Sequence, residues 1–89
     1  SKAIAYYKKA LKIDEQVLPT NHPSLATSYV NIAGVYDDLE EYSQALHFYN
    51  KALHIFEATL PNNHPKLATS YTNIGLVYNH LGDYNQALT

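Results

Sequence analysis

Five histidines and nine tyrosines are the side chains of this sequence whose chemistry could support metal binding or proton transfer. His47 and His54 are seven residues apart, which is about 10.5 Å along a helix and too far for both to bind one metal ion. His22 and His64 each precede a proline in a predicted linker, and His80 stands alone. We therefore expect no metal site.

Sequence motifs of catalysis are also missing. The chain has no cysteine, so it has neither a thiolate nucleophile nor a thiolate metal ligand. It has no glycine-rich phosphate loop, no His-Glu-x-x-His run and no recognisable pair of nucleophile and base. The sequence predicts a protein that is not an enzyme and that binds no cofactor.

Composition limits the partners and the location that we expect. The net charge is −2 and all six cations are lysines. Nucleic-acid binding relies on clustered cations and on arginine forks, so we expect no nucleic-acid partner and interpret the lysines of residues 2–12 as a solvated helix face. No apolar stretch approaches the length of a membrane span, and no signal-peptide pattern is present. The lack of cysteine suits a reducing compartment, so the expected location is cytoplasmic.

The elements that position these residues come from a repeat of 42 residues. Leu25 to Leu39 and Leu67 to Leu81 share the pattern Leu-Ala-Thr-Ser-Tyr-x-Asn-Ile-x-x-Val-Tyr-x-x-Leu, and 27 of the 47 overlapping positions are identical. Self-similarity of this kind is the signature of a repeat architecture. Because Ser1 falls inside a repeat unit, we interpret residues 1–89 as one fragment of such an array.

Apolar spacing predicts helices over residues 1–18, 24–39, 42–60 and 66–81, followed by the start of a fifth helix at 84–89. Pro19 and Pro61 end the first and third helices, since the residue before a proline is pushed out of the helical region. Gly82 and Asp83 have the residue types of a tight turn after the fourth helix. Glu40 takes the place of that glycine in the first copy, where a left-handed conformation should cost about 1 kcal/mol.

Small and large residues alternate along the unit in the order Tyr29, Ile32, Ala33, Tyr36, Leu39, Tyr42, Ala45, Tyr49, Ala52, Leu53. That order resembles the tetratricopeptide repeat, with Ala33 and Gly75 at its small helix-contact position. The repeat is longer than the usual unit of about 34 residues and is similar to the long repeats of kinesin light chains and nephrocystin-type proteins. It departs from the family pattern in having tyrosine at 29 and 71, where many repeats have tryptophan, and Glu40 for the turn glycine.

The resemblance implies an all-α fold of antiparallel helix pairs stacked into a right-handed superhelical solenoid. Its first helices would line a concave groove, and its function would be that of a protein–protein interaction scaffold that binds an extended peptide or partner segment. Short loops and small contact residues favour the same packing independently of the family.

Apolar residues at helical spacing form a stripe that we expect to be buried, namely Leu25, Tyr29, Ile32, Tyr36 and Leu39. The resemblance implies that the opposite face of the helix is the peptide-binding groove. In the first copy it holds Thr27, Val30, Asn31, Gly34, Asp37 and Asp38, and in the second Thr69, Thr72, Asn73, Leu76, Asn79 and His80. Four of the six pairs differ between copies, whereas Asn31 and Asn73 are identical although asparagine is a poor helix former. In peptide-binding repeats an asparagine at this place bonds the ligand backbone; it is equally open that both are remnants of duplication or bond their own helix.

Charges on this face indicate the type of partner. It lacks lysine and arginine, so the resemblance does not extend to a clamp for a C-terminal carboxylate. Asp37 and Asp38 favour a neutral or basic protein segment, unless both are simply solvated.

Two open ends predict a second behaviour. Stacked repeats need about three units and polar caps, whereas this chain has about two units and no evident cap. We expect apolar residues to remain uncovered at both ends, namely Ile4, Tyr7, Leu11, Tyr71, Ile74 and Tyr78. Such ends favour head-to-tail self-association or helix exchange. The alternative function is therefore a structural repeat that stacks into long assemblies without a dedicated ligand.

Overall fold

The computed structural model describes residues 1–88, with side chains described for residues 1–83. It contains four α-helices: α1 (Lys2–Val17), α2 (Pro23–Asp38), α3 (Tyr42–Thr59) and α4 (Pro65–Leu88). Each helix packs mainly on its neighbour in sequence, and the α2–α3 contact is the most extensive. The chain forms a slab with extents of 45 × 34 × 14 Å. This is the architecture of an all-α helical repeat solenoid.

The starts of α2 and α4 are stabilised in the same way in both copies. The ring nitrogen Nδ1 of His22 accepts a hydrogen bond of 3.1 Å from the backbone N–H of Ser24, and Nδ1 of His64 accepts the equivalent bond of 3.1 Å from Lys66. Pro23 takes the first helical position, where its missing N–H leaves no bond unmade. The linker histidines therefore satisfy orphan donors of the helix starts.

The turn between α2 and α3 is a Schellman motif. Glu40 has a φ of 61°, in the left-handed region. The N–H of Glu40 bonds the carbonyl of Asp37 at 3.0 Å, and the N–H of Glu41 bonds the carbonyl of Tyr36 at 2.9 Å. The motif satisfies the last carbonyls of α2 and turns the chain so that α3 lies against α2.

The core lies mainly between α2 and α3. Four alanines are fully or almost fully buried, and they let the two helices approach closely: Ala26, Ala33, Ala45 and Ala52. Aromatic rings fill the space between them. The ring of Phe48 stacks on Tyr36 with centroids 5.8 Å apart and lies 6.1 Å from the ring of Tyr29. The Tyr29 hydroxyl donates a hydrogen bond of 2.9 Å to Glu15 on α1, which fastens α1 to the same cluster.

Burial differs from the sequence pattern at several positions. Leu39 belongs to the predicted buried stripe but is 49% exposed, because the left-handed turn begins directly after it. Tyr6 and Val17 fall at the helical apolar spacing of α1, yet each is 70% exposed. Apolar residues occur on more than one side of α1, so the spacing alone did not identify the side that packs on α2.

The largest difference concerns α4. The first three helices begin and end within one residue of the predicted bounds, but the fourth was predicted to end at Leu81, with a separate helix from Tyr84. Instead α4 continues to Leu88 as one helix, and Gly82 has no positive φ. Glycine only permits a left-handed turn; in the first copy the reversal is stabilised by the packing of α3 on α2. The side chains of the predicted segment 84–89 lie outside the described residues.

Replacing Glu40 with glycine should stabilise the protein by about 1 kcal/mol, because glycine adopts the left-handed conformation without steric cost and a negative charge is removed from the C-terminal end of α2. The measurement is urea unfolding followed by circular dichroism. Glu41→Gly is the matched control: its φ is −94°, so glycine relieves no left-handed strain there and should not give the same stabilisation. Equal effects of both changes would contradict the Schellman turn.

Gly82→Ala should raise the helix population around residue 82, because alanine is about 1 kcal/mol better than glycine inside a helix. Carbon-13 chemical shifts of the backbone measure this residue by residue. Gly75→Ala is the control, since Gly75 lies in the middle of α4 and an added Cβ would meet nothing within 4 Å. A loss of helix at Gly82→Ala alone would show that Gly82 adopts a left-handed turn in solution.

Candidate functional site

A cavity between α2 and α4 brings together part of the predicted groove. Its volume is about 210 Å³. Thr27 and Val30 contribute from α2, Thr69 and Asn73 contribute from α4, and Phe56 of α3 also lines it. Phe56 is only 6% exposed and supplies apolar surface at the base of the cavity. The polar lining includes hydroxyl groups and the Asn73 carboxamide. The arrangement offers an apolar recess with hydrogen-bonding groups beside it.

The two equivalent asparagines have different surroundings. Asn73 is half-buried and lines this cavity together with Thr27 and Val30 of α2. Asn31 is exposed and does not line this cavity. Asn73, and not Asn31, is therefore placed to act together with residues of a neighbouring helix.

Lys66 was not among the predicted groove residues, yet it also lines the cavity. Its ammonium group lies 5.7 Å from the centre of the Phe56 ring, at cation–π distance. The counterpart of Lys66 in the first copy is Ser24, so comparison of the copies could not mark this position as functional. The cavity therefore has a lysine in its lining that the predicted groove residues did not include.

Asp37 and His80 meet at the other end of α2 and α4. Nδ1 of His80 lies 3.2 Å from Oδ1 of Asp37, and the His80 side chain is 47% exposed. The His80 ring also lies 5.9 Å from the ring of Tyr42, which follows the α2–α3 turn. An exposed pair of this kind contributes at most about 1 kcal/mol to stability. It links the two helices directly and occupies Asp37 with a partner inside the chain.

Negative charge is concentrated near this second end. The pKa of the Tyr49 hydroxyl is raised by its burial first, and then by the negative charges of Asp37 and Asp38. Asp38 is exposed. We call the surface formed by the adjacent sides of α2 and α4 the α2–α4 face. It has Lys66 at the N-terminal end of α4 and the carboxylates of Asp37 and Asp38 at the C-terminal end of α2.

The other predicted groove residues do not line the cavity beside Asn73. Gly34 is half-buried, and a Cβ added there would lie 3.8 Å from the Tyr49 hydroxyl. Thr72, Leu76 and Asn79 are exposed on α4. These three residues border the face, but they do not line the cavity beside Asn73.

A larger cavity of about 410 Å³ lies on the other side of α3. Its lining is Thr20, Asn21, Tyr29, His47, Asn50, Lys51, His54 and Ile55. It borders both histidines of α3, but among the described residues no group of three or more histidine, cysteine or carboxylate side chains is placed to hold a metal ion. The Lys51 ammonium lies 5.1 Å from the centre of the Tyr29 ring, so the lysine that lines this cavity already makes a cation–π contact within the protein.

Tyr29 and Tyr71 make equivalent hydrogen bonds, but Tyr29 is buried and Tyr71 is exposed. Each hydroxyl donates to a glutamate fourteen residues earlier, Glu15 or Glu57, at 2.9 Å. Burial is the main reason that the pKa of Tyr29 is raised to about 12, whereas the hydrogen bond to Glu57 is the main reason that the pKa of Tyr71 is raised. The two copies therefore have the same local geometry, but α3 covers only Tyr29.

The predicted end residues separate into exposed and buried members. Tyr71 and Tyr78 are 54% and 58% exposed, Tyr7 is 39% exposed, and Ile4 and Ile74 are half-buried. Leu11 is only 6% exposed and belongs to the core, so its assignment to an open end is wrong. It faces α2, and the exposed side of α1 carries Tyr6 and Ile13 instead.

In the described part of the chain, no helix is both long enough and apolar enough to cross a membrane.

Comparison with known families gives two matches. Residues 1–58 match one sequence model of the tetratricopeptide repeat, and residues 67–89 match a second model of the same repeat. None of the curated proteins matches the chain. The first match covers well over half of the chain, and it agrees with the stacked helices of the fold. This chain belongs to the tetratricopeptide repeat family.

Proposed function

We propose that the α2–α4 face binds an extended segment of a partner protein, with the cavity beside Asn73 taking one apolar side chain of that segment. Tetratricopeptide repeats are in general protein–protein interaction modules without catalytic activity. The cavity between α2 and α4, which are equivalent helices of successive repeats, is the observation that supports a binding site at this place.

The size of the cavity favours a peptide side chain over a small molecule. At about 210 Å³ it is smaller than the range of about 300–1,000 Å³ that is usual for small-molecule sites. Val30 and Phe56 supply apolar surface for a partner side chain. One branched or aromatic side chain can enter while the rest of the segment lies along the two helices.

Asn73 can hold the backbone of that segment. A carboxamide both donates and accepts, so it matches a peptide group of an extended strand. Within the described residues the Asn73 side chain makes no hydrogen bond of its own. Binding would therefore cost no internal bond at this position.

The charges define which segment fits. Lys66 favours an acidic group at the cavity end of the face, and Asp38 favours a basic group at the opposite end. Because both are near the surface, they contribute more to specificity and orientation than to affinity. The preferred partner has a central apolar residue, with acidic and basic residues on opposite sides of it. This refines the neutral or basic segment expected from the sequence.

Asn73→Ala should weaken binding of a selected peptide about tenfold, which corresponds to the loss of one or two hydrogen bonds to the peptide backbone. Asn31→Ala is the matched control: it is the same change at the equivalent place of the first copy, and affinity should stay within about twofold. The probe is a library of extended peptides with a fixed central leucine, selected on the wild-type chain and then measured by calorimetry. Circular dichroism verifies that both variants remain folded.

Equal losses at Asn31 and Asn73 would contradict a site at the cavity. Val30→Asp places a charge in the cavity and should abolish binding of the selected peptides. If the library yields no peptide whose binding is lost on Val30→Asp, the proposed function as a whole is contradicted.

A further inference from the structure

The larger cavity, on the other side of α3, differs in character from the cavity beside Asn73. Its volume of about 410 Å³ lies within the range of about 300–1,000 Å³ that is usual for small-molecule sites. One wall is the linker between α1 and α2, through Thr20 and Asn21, and the other wall is α3. We call it the linker cavity. None of its lining residues comes from α1 or α4, so consecutive internal elements of the chain form it, without a side of the first or the last helix.

The polar groups that line the linker cavity can all donate hydrogen bonds, and none of them is a carboxylate. Lys51 supplies a charged ammonium group. The other donors are a hydroxyl, two carboxamides and two imidazoles, which belong to Thr20, Asn21, Asn50, His47 and His54. All six side chains are exposed, so a ligand can reach them. A negatively charged group with several acceptor oxygens matches this lining.

Lys51 lies at the centre of the α3 wall. Helix geometry places His47 one turn before it and His54 one turn after it, on the same side of α3. The Lys51 ammonium lies 5.1 Å from the centre of the Tyr29 ring and 5.9 Å from that of Phe48. The His47 ring meets the same Phe48 ring edge-on, with centroids 5.1 Å apart. These contacts hold Lys51 and His47 in place, and the ammonium group keeps N–H donors that can reach a ligand.

The same side of the helix has cationic residues in the first copy. Shifted by 42 residues, Lys9 corresponds to Lys51 and Lys12 corresponds to His54. A lysine at the centre of this side is therefore a feature of both copies, and neither copy has an acidic residue at these two places.

We propose that the linker cavity binds a phosphomonoester, carried by a phosphorylated side chain or by a free phosphorylated metabolite. A phosphoryl group has three acceptor oxygens and a charge of about −1.5 to −2 at neutral pH, so it can accept from Lys51 and from neighbouring neutral donors at once. Ile55 and the Tyr29 ring supply apolar surface for the body of the ligand. A carboxylate has only two oxygens and one charge, so it uses fewer of these donors.

One carboxylate near the cavity opposes anion binding. Glu15 does not line the cavity, but it accepts the 2.9 Å hydrogen bond from the hydroxyl of Tyr29, which does. Its negative charge therefore lies at the hydroxyl end of the ring that holds the Lys51 ammonium. Because Glu15 is exposed, solvent and salt screen the repulsion, and the phosphoryl group binds weakly and reversibly. Neither Asn73 nor the α2–α4 face takes part, so this site does not depend on the proposed peptide binding.

Phenyl phosphate is the probe, because it joins a phosphomonoester to a small apolar ring. It should shift the backbone amide signals of residues 20–21 and 47–55 in proton–nitrogen NMR spectra of the wild-type chain, with a Kd on the order of 1 mM. Lys51→Met keeps the apolar stem but removes the charge, and should weaken binding at least about fivefold. Lys66→Met is the matched control: it also removes an exposed ammonium group that lies over an aromatic ring, and affinity should stay within about twofold.

Changes of charge on the other sides of the cavity test the same site. Asn21→Asp adds a carboxylate to the linker wall at nearly constant size, and should weaken binding at least about fivefold. Asn63→Asp makes the same change at the equivalent place of the second linker, which does not line the cavity, and should leave affinity unchanged. Glu15→Gln removes the opposing charge and should strengthen binding about twofold. Circular dichroism verifies that each variant remains folded.

A short peptide with a central phosphoserine and free O-phosphoserine distinguish the two sources of the phosphoryl group. Binding of the peptide at least about tenfold tighter supports a phosphorylated protein segment, and equal binding supports a free metabolite. Absence of saturable shifts at the cavity, equal losses in the Lys51 and Lys66 variants, or binding of phenylacetate as tight as that of phenyl phosphate would overturn the proposal.

Discussion

The packing of α2 on α3 is the interaction on which the rest of this structure depends. Buried alanines let the helix backbones approach, and the stacked rings of Tyr36 and Phe48 fill the remaining space. Aromatic pairs in such arrangements contribute about 0.5–1.5 kcal/mol beyond the area they bury. The left-handed residue Glu40 is tolerated because this packing stabilises the turn that leads into it. The same interface sets the position of Phe56 below the α2–α4 cavity.

Much of the fold could be predicted from the sequence, because a repeat specifies the same packing twice. Proline and the 42-residue period located the first three helices, and the alternation of small and large residues indicated the family. The end of α4 could not be predicted in this way. Gly82 has the residue type of a turn, but a turn forms only where the following helix has a face to cover, and that condition concerns tertiary packing. The family match across residues 67–89 reports the pattern of the repeat, which the straight course of α4 does not alter.

The candidate site could be predicted only in part. Periodicity placed Thr27, Val30 and Asn73 on one face, because helix geometry fixes which residues share a side. Periodicity treated Asn31 and Asn73 as equivalent, because both occupy the same position of the repeated pattern. The pattern does not tell which of the two lies beside a neighbouring helix. In the described part of the chain, Asn73 shares a cavity with residues of α2, whereas Asn31 is exposed. Lys66 was missed for a related reason, as it comes from the first turn of α4 and reaches the cavity only through the packing of α4 on α3.

A double-mutant cycle at Tyr36 and Phe48 tests the central claim most directly, since it measures the packing of α2 on α3 itself. Tyr36→Leu and Phe48→Leu are made singly and together, and the free energy of unfolding of each variant is measured in urea. The account predicts a coupling energy of about 0.5–1.5 kcal/mol between the two rings. A coupling energy indistinguishable from zero in folded, helical variants would show that these rings do not stack in solution. The packing of α2 on α3 would then not be the interaction on which the rest of the structure depends.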